Sequence, residues 1–283
     1  MQHSISSRSA RVGRVELLAA LVGCGLGLAP APAAAQDSSD FFGLTGNHWQ
    51  TGGFVFVTPK YEGGKSYDVL GFPFIAPAGF GQDGGSIDIR GADNVRWRLI
   101  DINGFEAGPL AGYRFGRDQG DAERLRGLGD IDGGLVIGGY AGYRVGPWFA
   151  SVSYHQQVTG DEDTGGLVRF AVDNTLRLNP STKLVTSIGT SYASSDYMQS
   201  FFGVSAAQAA TSVAGLPRFN ASAGFKDVSI GTTASIDLDR RWTLYLTGSY
   251  TRLIGDAADS PVIETENAFF GGVGLSYKFD LPR

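Results

Sequence analysis

Ser151, Ser153 and His155 come closest, by type and spacing, to a catalytic group in this chain. A histidine beside a serine can act as the general base of a hydrolase. The three residues are spaced two apart, however, which is also the spacing of side chains on one face of a β-strand. Strand alternation explains them without chemistry, and we predict that the chain is not an enzyme.

The chain offers little to a metal ion or a cofactor. Transition-metal sites are built mainly from histidine and cysteine, and the chain has only three histidines and one cysteine. Carboxylates at Asp161–Asp163, Glu264 and Glu266 could hold Ca²⁺, but a solvated acidic loop explains them equally well. Gly133-Gly134 is not followed by the Lys-Ser/Thr pair of a phosphate-binding loop. We predict no metal ion and no cofactor.

Charge limits the class of partner. The formal net charge is −5, whereas nucleic-acid binding needs a concentrated basic face. We therefore predict no nucleic-acid partner, while a membrane remains compatible with this charge. Glycine is abundant, with 42 residues spread along the chain and no collagen period, so it is expected to serve strand construction.

The first 35 residues have the layout of a secretory signal peptide. Three arginines precede an apolar stretch over 17–29, and Ala33-Ala34-Ala35 supplies a small-residue cleavage site. Leu21-Val22-Gly23-Cys24 resembles a lipoprotein cleavage box, which is the alternative, but the apolar stretch continues past Cys24. Cleavage after Ala35 would leave a mature chain that begins at Gln36 and contains no cysteine.

Behind this leader, apolar and polar residues alternate along many segments. In 242–250, for example, Trp242, Leu244, Leu246 and Tyr250 alternate with smaller or polar residues. A strand points successive side chains to opposite faces, so such a segment has one apolar and one polar face. The pattern predicts an all-β protein built from antiparallel strands.

A soluble sandwich and a transmembrane barrel both produce this alternation. The segments here run about nine to fourteen residues, the length needed to cross a bilayer, whereas sandwich strands average five or six. The polar faces are rich in glycine and serine, and aromatic residues cluster near segment ends, as in barrels. We predict a single antiparallel transmembrane β-barrel of about twelve strands, at 49–58, 67–75, 84–91, 95–101, 105–115, 132–145, 147–158, 166–178, 182–193, 223–238, 241–253 and 268–279.

An even strand number places both termini on the periplasmic side of the outer membrane. The longer connections, 116–131, 194–222 and 254–267, then all fall outside, as bacterial barrels prefer. The stretch 76–104 fits the pattern least well. The predicted organisation is a signal peptide over 1–35, a periplasmic segment over 36–48 and the barrel over 49–283.

Charged residues on the polar faces are the candidate lining of the lumen. We predict that Arg114, Arg169, Asp173, Arg177 and Arg252 face the interior. They could line a path for a solute, or they could pair with each other and fill the barrel. Because twelve strands enclose a narrow lumen, a largely filled interior is favoured.

One loop segment carries a more specific signal. Asp196-Tyr-Met-Gln-Ser-Phe-Phe-Gly-Val204 resembles the "YM..YFGV" signature of the MipA/OmpV family of outer-membrane proteins. Other segments resemble the family in the same order along the mature chain: Pro59-Lys-Tyr-Glu-Gly63, Gly108-Pro109 with Arg114-Phe-Gly-Arg117, Leu125-Arg-Gly-Leu128, Gly224-Phe-Lys-Asp227, Arg252-Leu-Ile-Gly-Asp-Ala257 and Asp259-Ser-Pro-Val262.

The resemblance implies a location, a role and partners. It implies an outer-membrane barrel that acts as a scaffold between a murein hydrolase and a peptidoglycan synthase, with outer-membrane lipid around it. Scaffolding needs periplasmic surface, and the apolar cluster Phe41, Phe42, Leu44 and Trp49 is the candidate docking site. A small-solute channel is the alternative function, and a surface lipid hydrolase is the more distant one.

Overall fold

The computed structural model describes residues 48–77 and 87–281. In these ranges the strands are β1 (His48–Pro59), β2 (Tyr67–Pro77), β3 (Ile87–Gly91), β4 (Asn94–Trp97), β5 (Ile100–Ile102), β6 (Phe105–Arg114), β7 (Gly134–Val145), β8 (Trp148–Gln157), β9 (Gly166–Asn179), β10 (Thr182–Ala193), β11 (Gly224–Asp237), β12 (Trp242–Leu253) and β13 (Asn267–Asp280). The helices are α1 (Ser195–Phe202), α2 (Ala206–Thr211) and α3 (Gly255–Asp259), with 3-10 turns at Glu123–Leu125 and Glu162–Thr164. Within the described ranges, no helix is long and apolar enough to cross a membrane.

The strands form one curled antiparallel sheet. Its order is β2-β1-β13-β12-β11-β10-β9-β8-β7-β6-β4-β3, and β5 pairs with β6 beside this path. β1 pairs with β13 over ten residue pairs, so the first and last strands are neighbours, as in a bacterial barrel, and β2 and β3 form the two ends of the order. The path contains twelve strands, which confirms the predicted barrel of about twelve.

The prediction was wrong in detail between β2 and β6. The predicted strand 95–101 is divided into β4 and β5, and β3 and β4 have only five and four residues. Crossing the hydrocarbon layer takes about nine residues, so this hairpin does not span it. Arg90 and Asp93 lie on the hairpin and pair with Asp173 and Arg169 of β9, contacts that a lipid-facing position could not provide.

Outward-facing side chains on the long strands are apolar. Val69, Ile188 and Phe269 are 69%, 61% and 60% exposed, which is the exposure expected of residues that contact lipid. Their strand neighbours point inward and include Ser187 on β10, which donates a hydrogen bond to Asp173 at 2.6 Å. The alternation in the sequence therefore corresponds to apolar side chains that face lipid and polar side chains that face the lumen, as in a membrane barrel.

The two ends of the barrel differ in their connections. Short turns at 146–147, 180–181 and 238–241 lie at one end, and the longer connections 115–133, 194–223 and 254–266 lie at the other. In bacterial barrels the short turns are periplasmic and the long loops are extracellular. We therefore call these the turn end and the loop end, and assign them to the periplasm and the outside.

Aromatic side chains mark the turn end on the outer wall. Trp148 is 54% exposed, and the rings of Trp242 and Tyr277 have centroids 4.8 Å apart. Trp49 lies opposite Phe279 in the β1–β13 ladder, at the same end. This is the position of an interfacial aromatic girdle.

Candidate functional site

The tip of the β3–β4 hairpin is fixed inside the barrel by a bidentate ion pair. The Asp93 carboxylate accepts hydrogen bonds from both terminal nitrogens of Arg169 on β9, at 2.7 and 2.8 Å. The Asp93 carbonyl oxygen lies 3.0 Å from His155 Nδ1 on β8. A fork-to-fork arginine–carboxylate contact is the strongest geometry available to this pair. The charges thus hold the hairpin against β8 and β9.

Further charges on the same hairpin pair across the lumen. Arg90 contacts Asp173 of β9 and donates to Asp88 at 2.7 Å. Arg96 is buried, donates to Ser153 at 3.2 Å, and lies 4.8 Å from the centre of the Tyr140 ring. This half of the interior is therefore filled by charged and polar side chains that contact each other.

Ser153 and His155 do make contact, with Ser153 Oγ 2.9 Å from His155 Nε2. Both are buried, His155 completely, beneath the hairpin. The other ring nitrogen faces the main-chain oxygen of Asp93 and not its carboxylate, and Ser153 also accepts a hydrogen bond from Arg96. A Ser/His/Asp hydrolase needs a carboxylate on that nitrogen and an approach for substrate, and this arrangement supplies neither.

The five predicted lumen residues occupy three environments. Arg114, Arg169 and Asp173 lie on inward faces within the charged half of the barrel. Arg177 shares the inward face of β9 but is exposed at the turn end. Arg252 is on the same face of β12 as outward-facing Leu246, and it donates to Glu266 at 2.7 Å on the exposed outer rim.

The other half of the inner wall is aromatic. Phe54 and Phe56 on β1 stack with ring centroids 5.7 Å apart, and Phe54 lies 5.3 Å from Phe74 and 5.6 Å from Tyr245. A Cβ added at Gly274 of β13 would overlap the Phe54 ring, so the absence of a side chain there lets the ring lie flat on the wall. Phe72 and Phe270 extend the same cluster.

The connections at the loop end fold into a compact cap, defined by residues 60–66, 115–133, 194–223 and 254–266. The first apolar cluster of the cap contains Leu167, Ala193, Tyr197, Met198, Phe201, Phe202, Ala221, Leu253, Ala257 and Ile263, and the second contains Tyr61, Leu125, Leu128, Val204, Leu216 and Val262. Leu167, Ala193 and Leu253 are buried at the outer ends of β9, β10 and β12. Since the loops start from widely separated strands and pack on these strand ends, the cap lies across the outer mouth.

Hydrogen bonds join the loops of the cap to each other. The Glu264 amide donates to the Gly63 oxygen at 2.7 Å, and Gly63 adopts a φ of 86°, where a Cβ would also overlap Ile263. Buried Arg117 donates to the Phe201 oxygen at 2.9 Å. Burial lowers the pKa of Arg117 to about 10, which keeps the guanidinium charged at neutral pH.

Glu62 connects the cap to the barrel. It accepts hydrogen bonds from Lys226 Nζ at 2.8 Å and from the Tyr197 hydroxyl at 3.2 Å, and Lys226 also donates to Asp227 at 2.7 Å. Arg114 lies 5.0 Å from the centre of the Tyr197 ring. Burial, reinforced by Glu62, raises the pKa of the Tyr197 hydroxyl well above its usual range, so it remains a neutral donor.

Most of the segments that resemble the MipA/OmpV family meet in this cap or at the strand ends beneath it. Segments 59–63, 114–117, 125–128, 196–204, 224–227 and 252–262 are far apart in the sequence, yet each reaches the cap or the strand ends beneath it. The family model described as MltA-interacting protein MipA matches residues 51–279. The chain belongs to the MipA family. It is an outer-membrane β-barrel protein of the MipA/OmpV type, as the resemblance predicted.

Curated relatives of this MipA-family chain include Omp26La of Vibrio anguillarum and OmpV of Vibrio cholerae, both named outer membrane proteins. Each is 28% identical over 170 residues, which is 60% of this chain and 64% of the relative's length. Similar solved structures include the NanC porin, with 10% identity and a TM-score of 0.37 over 82% of this chain and 100% of that one. Another is OmpT of Vibrio cholerae, with 11% identity and a TM-score of 0.33 over 65% and 54%.

Sequence reasoning missed the residues that organise both regions. Asp88, Arg90 and Asp93 were not among the predicted lumen residues, although charges alternating with isoleucine at 87–90 were a visible signal. Glu62 and Lys226 lie in segments that resemble the family, which was the available signal for them. Of the predicted docking residues, Trp49 lies in the girdle, and Phe41, Phe42 and Leu44 lie outside the described residues.

Proposed function

We propose that this protein is a closed barrel that works through protein contacts on its periplasmic side, as a scaffold for murein enzymes. The observation that carries the proposal is the cap, whose two buried apolar clusters lie across the outer mouth. A solute path would have to pass through packed side chains such as Phe202 and Val262, which are fully buried. A barrel whose lumen is closed must act through contacts on its surface and not through transport.

The interior charges support the same conclusion. Arg169 and Arg90 are paired with Asp93 and Asp173, so they stabilise the inner hairpin instead of facing an open aqueous pore. The family description names an interaction with MltA, and a murein hydrolase with its synthase is the partner pair we propose here. We further propose that no catalysis accompanies this role.

The contact surface we propose is the segment before β1. Maturation would remove 1–35 and expose a periplasmic segment over 36–48, with the barrel over 49–283. Phe41, Phe42 and Leu44 provide apolar side chains for docking, because Trp49 is engaged at the membrane interface. Clustered apolar residues at an exposed terminus favour protein contact.

The test is a pull-down of purified murein hydrolase and synthase with the folded barrel. Changing Phe41, Phe42 and Leu44 together to serine should abolish capture, while changing Ser38, Ser39 and Asp40 together to alanine should preserve it. The electrophoretic shift on heating checks that both variants retain a folded barrel. Undiminished capture by the serine variant, or no capture by the intact protein, contradicts the scaffold.

A small-solute channel is the second candidate, and one observation favours it. The rings of Phe54, Phe56, Phe72 and Phe74 are only half-buried on their side of the lumen, so the charged network does not cover them. An amphipathic solute could contact such a wall. Conductance across a bilayer distinguishes the two functions.

A further inference from the structure

A cleft of about 540 Å³ opens on the outer wall near the loop end. Its membrane-facing part is formed by outward-pointing Tyr154, Val168 and Tyr192, from β8, β9 and β10. Tyr154 and Tyr192 are 49% and 40% exposed. The cleft is thus continuous with the lipid-facing surface, at the level where the strands leave the outer leaflet.

The opposite part of the cleft is polar. Asp163 follows β8 in the 3-10 turn, Asp196 lies in the first turn of α1, and both are exposed. Gln156 lies between the two parts and accepts a hydrogen bond from the Tyr154 hydroxyl at 2.7 Å. The cleft therefore combines two tyrosine rings with two carboxylates and an amide.

Close backbone packing keeps this cleft in shape. Gly165 has a φ of 71°, and a Cβ there would overlap Ser194, while one at Gly166 would meet the Tyr154 hydroxyl at 2.9 Å. The Gly166 amide donates to Ser194 Oγ at 3.1 Å, and the same oxygen caps α1 by accepting from Tyr197 N. The loop before β9 is thereby bound to the start of α1 without filling the space beside it.

We propose that this cleft binds the saccharide head group of an outer-leaflet glycolipid. Tyrosine rings offer flat apolar faces to the C–H surface of a sugar, while carboxylates and an amide match its hydroxyl groups. The two carboxylates disfavour a bare phosphate, and the apolar wall below lies beside acyl chains. The volume lies in the ordinary range for small-molecule sites, roughly 300–1,000 Å³.

This proposal is independent of the scaffold role. The test is native mass spectrometry of the full barrel with monoglucosyl diacylglycerol, a neutral glycolipid, and with phosphatidylethanolamine and phosphatidylglycerol as the comparison lipids. The site variants are Asp163→Ala with Asp196→Ala, and Tyr154→Leu. The matched controls are Glu123→Ala with Asp259→Ala, two exposed acids of the cap outside the cleft, and Phe269→Leu, an exposed aromatic on another strand.

The intact protein and both controls should retain the glycolipid, and each site variant should bind it about tenfold more weakly, since several hydrogen bonds or one ring face are lost. Should Tyr154→Leu fail to fold, the exposed aspartate pair decides alone. Equal retention by site and control variants overturns the proposal. So does equal binding of phosphatidylethanolamine, which would indicate an ammonium site, or equal binding of phosphatidylglycerol, which would indicate that the acyl chains or the phosphate are bound and not the saccharide.

Discussion

At the scale of single residues, the charges inside this barrel act as structural contacts. Asp93 and Arg169 are 14% and 30% exposed in their side chains and form two hydrogen bonds with each other. Arg177 lies on the same inward face of β9 but is exposed at the turn end. Arg169 and Arg177 therefore differ in role, although both lie on the inward face of the same strand.

Arg169→Met should destabilise the barrel by about 3 kcal/mol, because it leaves the Asp93 carboxylate buried without its partner. Asp93→Asn combined with Arg169→Met should cost clearly less than the sum of the two single changes. Urea unfolding in lipid vesicles, followed by tryptophan fluorescence, measures these free energies.

Arg177→Met is the matched control for this cycle and should change the free energy of unfolding by less than about 0.5 kcal/mol. Equal destabilisation by Arg169→Met and Arg177→Met would mean that the ion pair does not hold the hairpin.

At the scale of strands and helices, the sequence predicted the elements in which apolar and polar residues alternate regularly. β7 to β13 were found because each alternates over ten or more residues, and one face of each had to be apolar to contact lipid. Strands were predicted at 84–91 and 95–101, but their short length and their position inside the barrel were not, because the hairpin is held by Arg169 and Asp173, which lie about eighty residues away in the sequence. The cap was not predicted either. Its loop residues, such as Tyr61 and Val262, follow no periodic pattern in the sequence and come together only in the folded chain.

The facing of β12 gives an element-scale prediction. Leu246 is 43% exposed on the outer wall, whereas the Thr247 side chain points inward and lies 3.0 Å from Thr233. Leu246→Arg should weaken folding into lipid by about 2–4 kcal/mol, since it places a charge in hydrocarbon. Thr247→Arg should cost much less, because the surrounding inner wall is built from small hydroxyl and glycine residues.

The measurement is the free energy of folding of both variants into vesicles of one lipid composition. Equal costs at the two positions would show that the assigned facing is incorrect. No cost at either position would contradict a transmembrane position for β12.

At the scale of the whole molecule, packing is concentrated at the loop end. The wall is apolar toward lipid, one side of the lumen is charged and paired, and the other side is aromatic. Two of the apolar clusters found in the described ranges lie in the cap, built from loops that also carry the family-like segments. We propose that this arrangement closes the outside of the barrel and leaves the periplasmic end as the accessible one.

Conductance of the purified protein in a planar lipid bilayer tests this central claim most directly. A closed, scaffolding barrel should give no step-like currents once insertion has been verified, and Arg169→Met should not create them, because the cap still covers the mouth. Step-like currents through the intact protein, with amplitudes that change in Arg169 or Arg177 variants, would show an open lumen lined by these charges and would contradict the account.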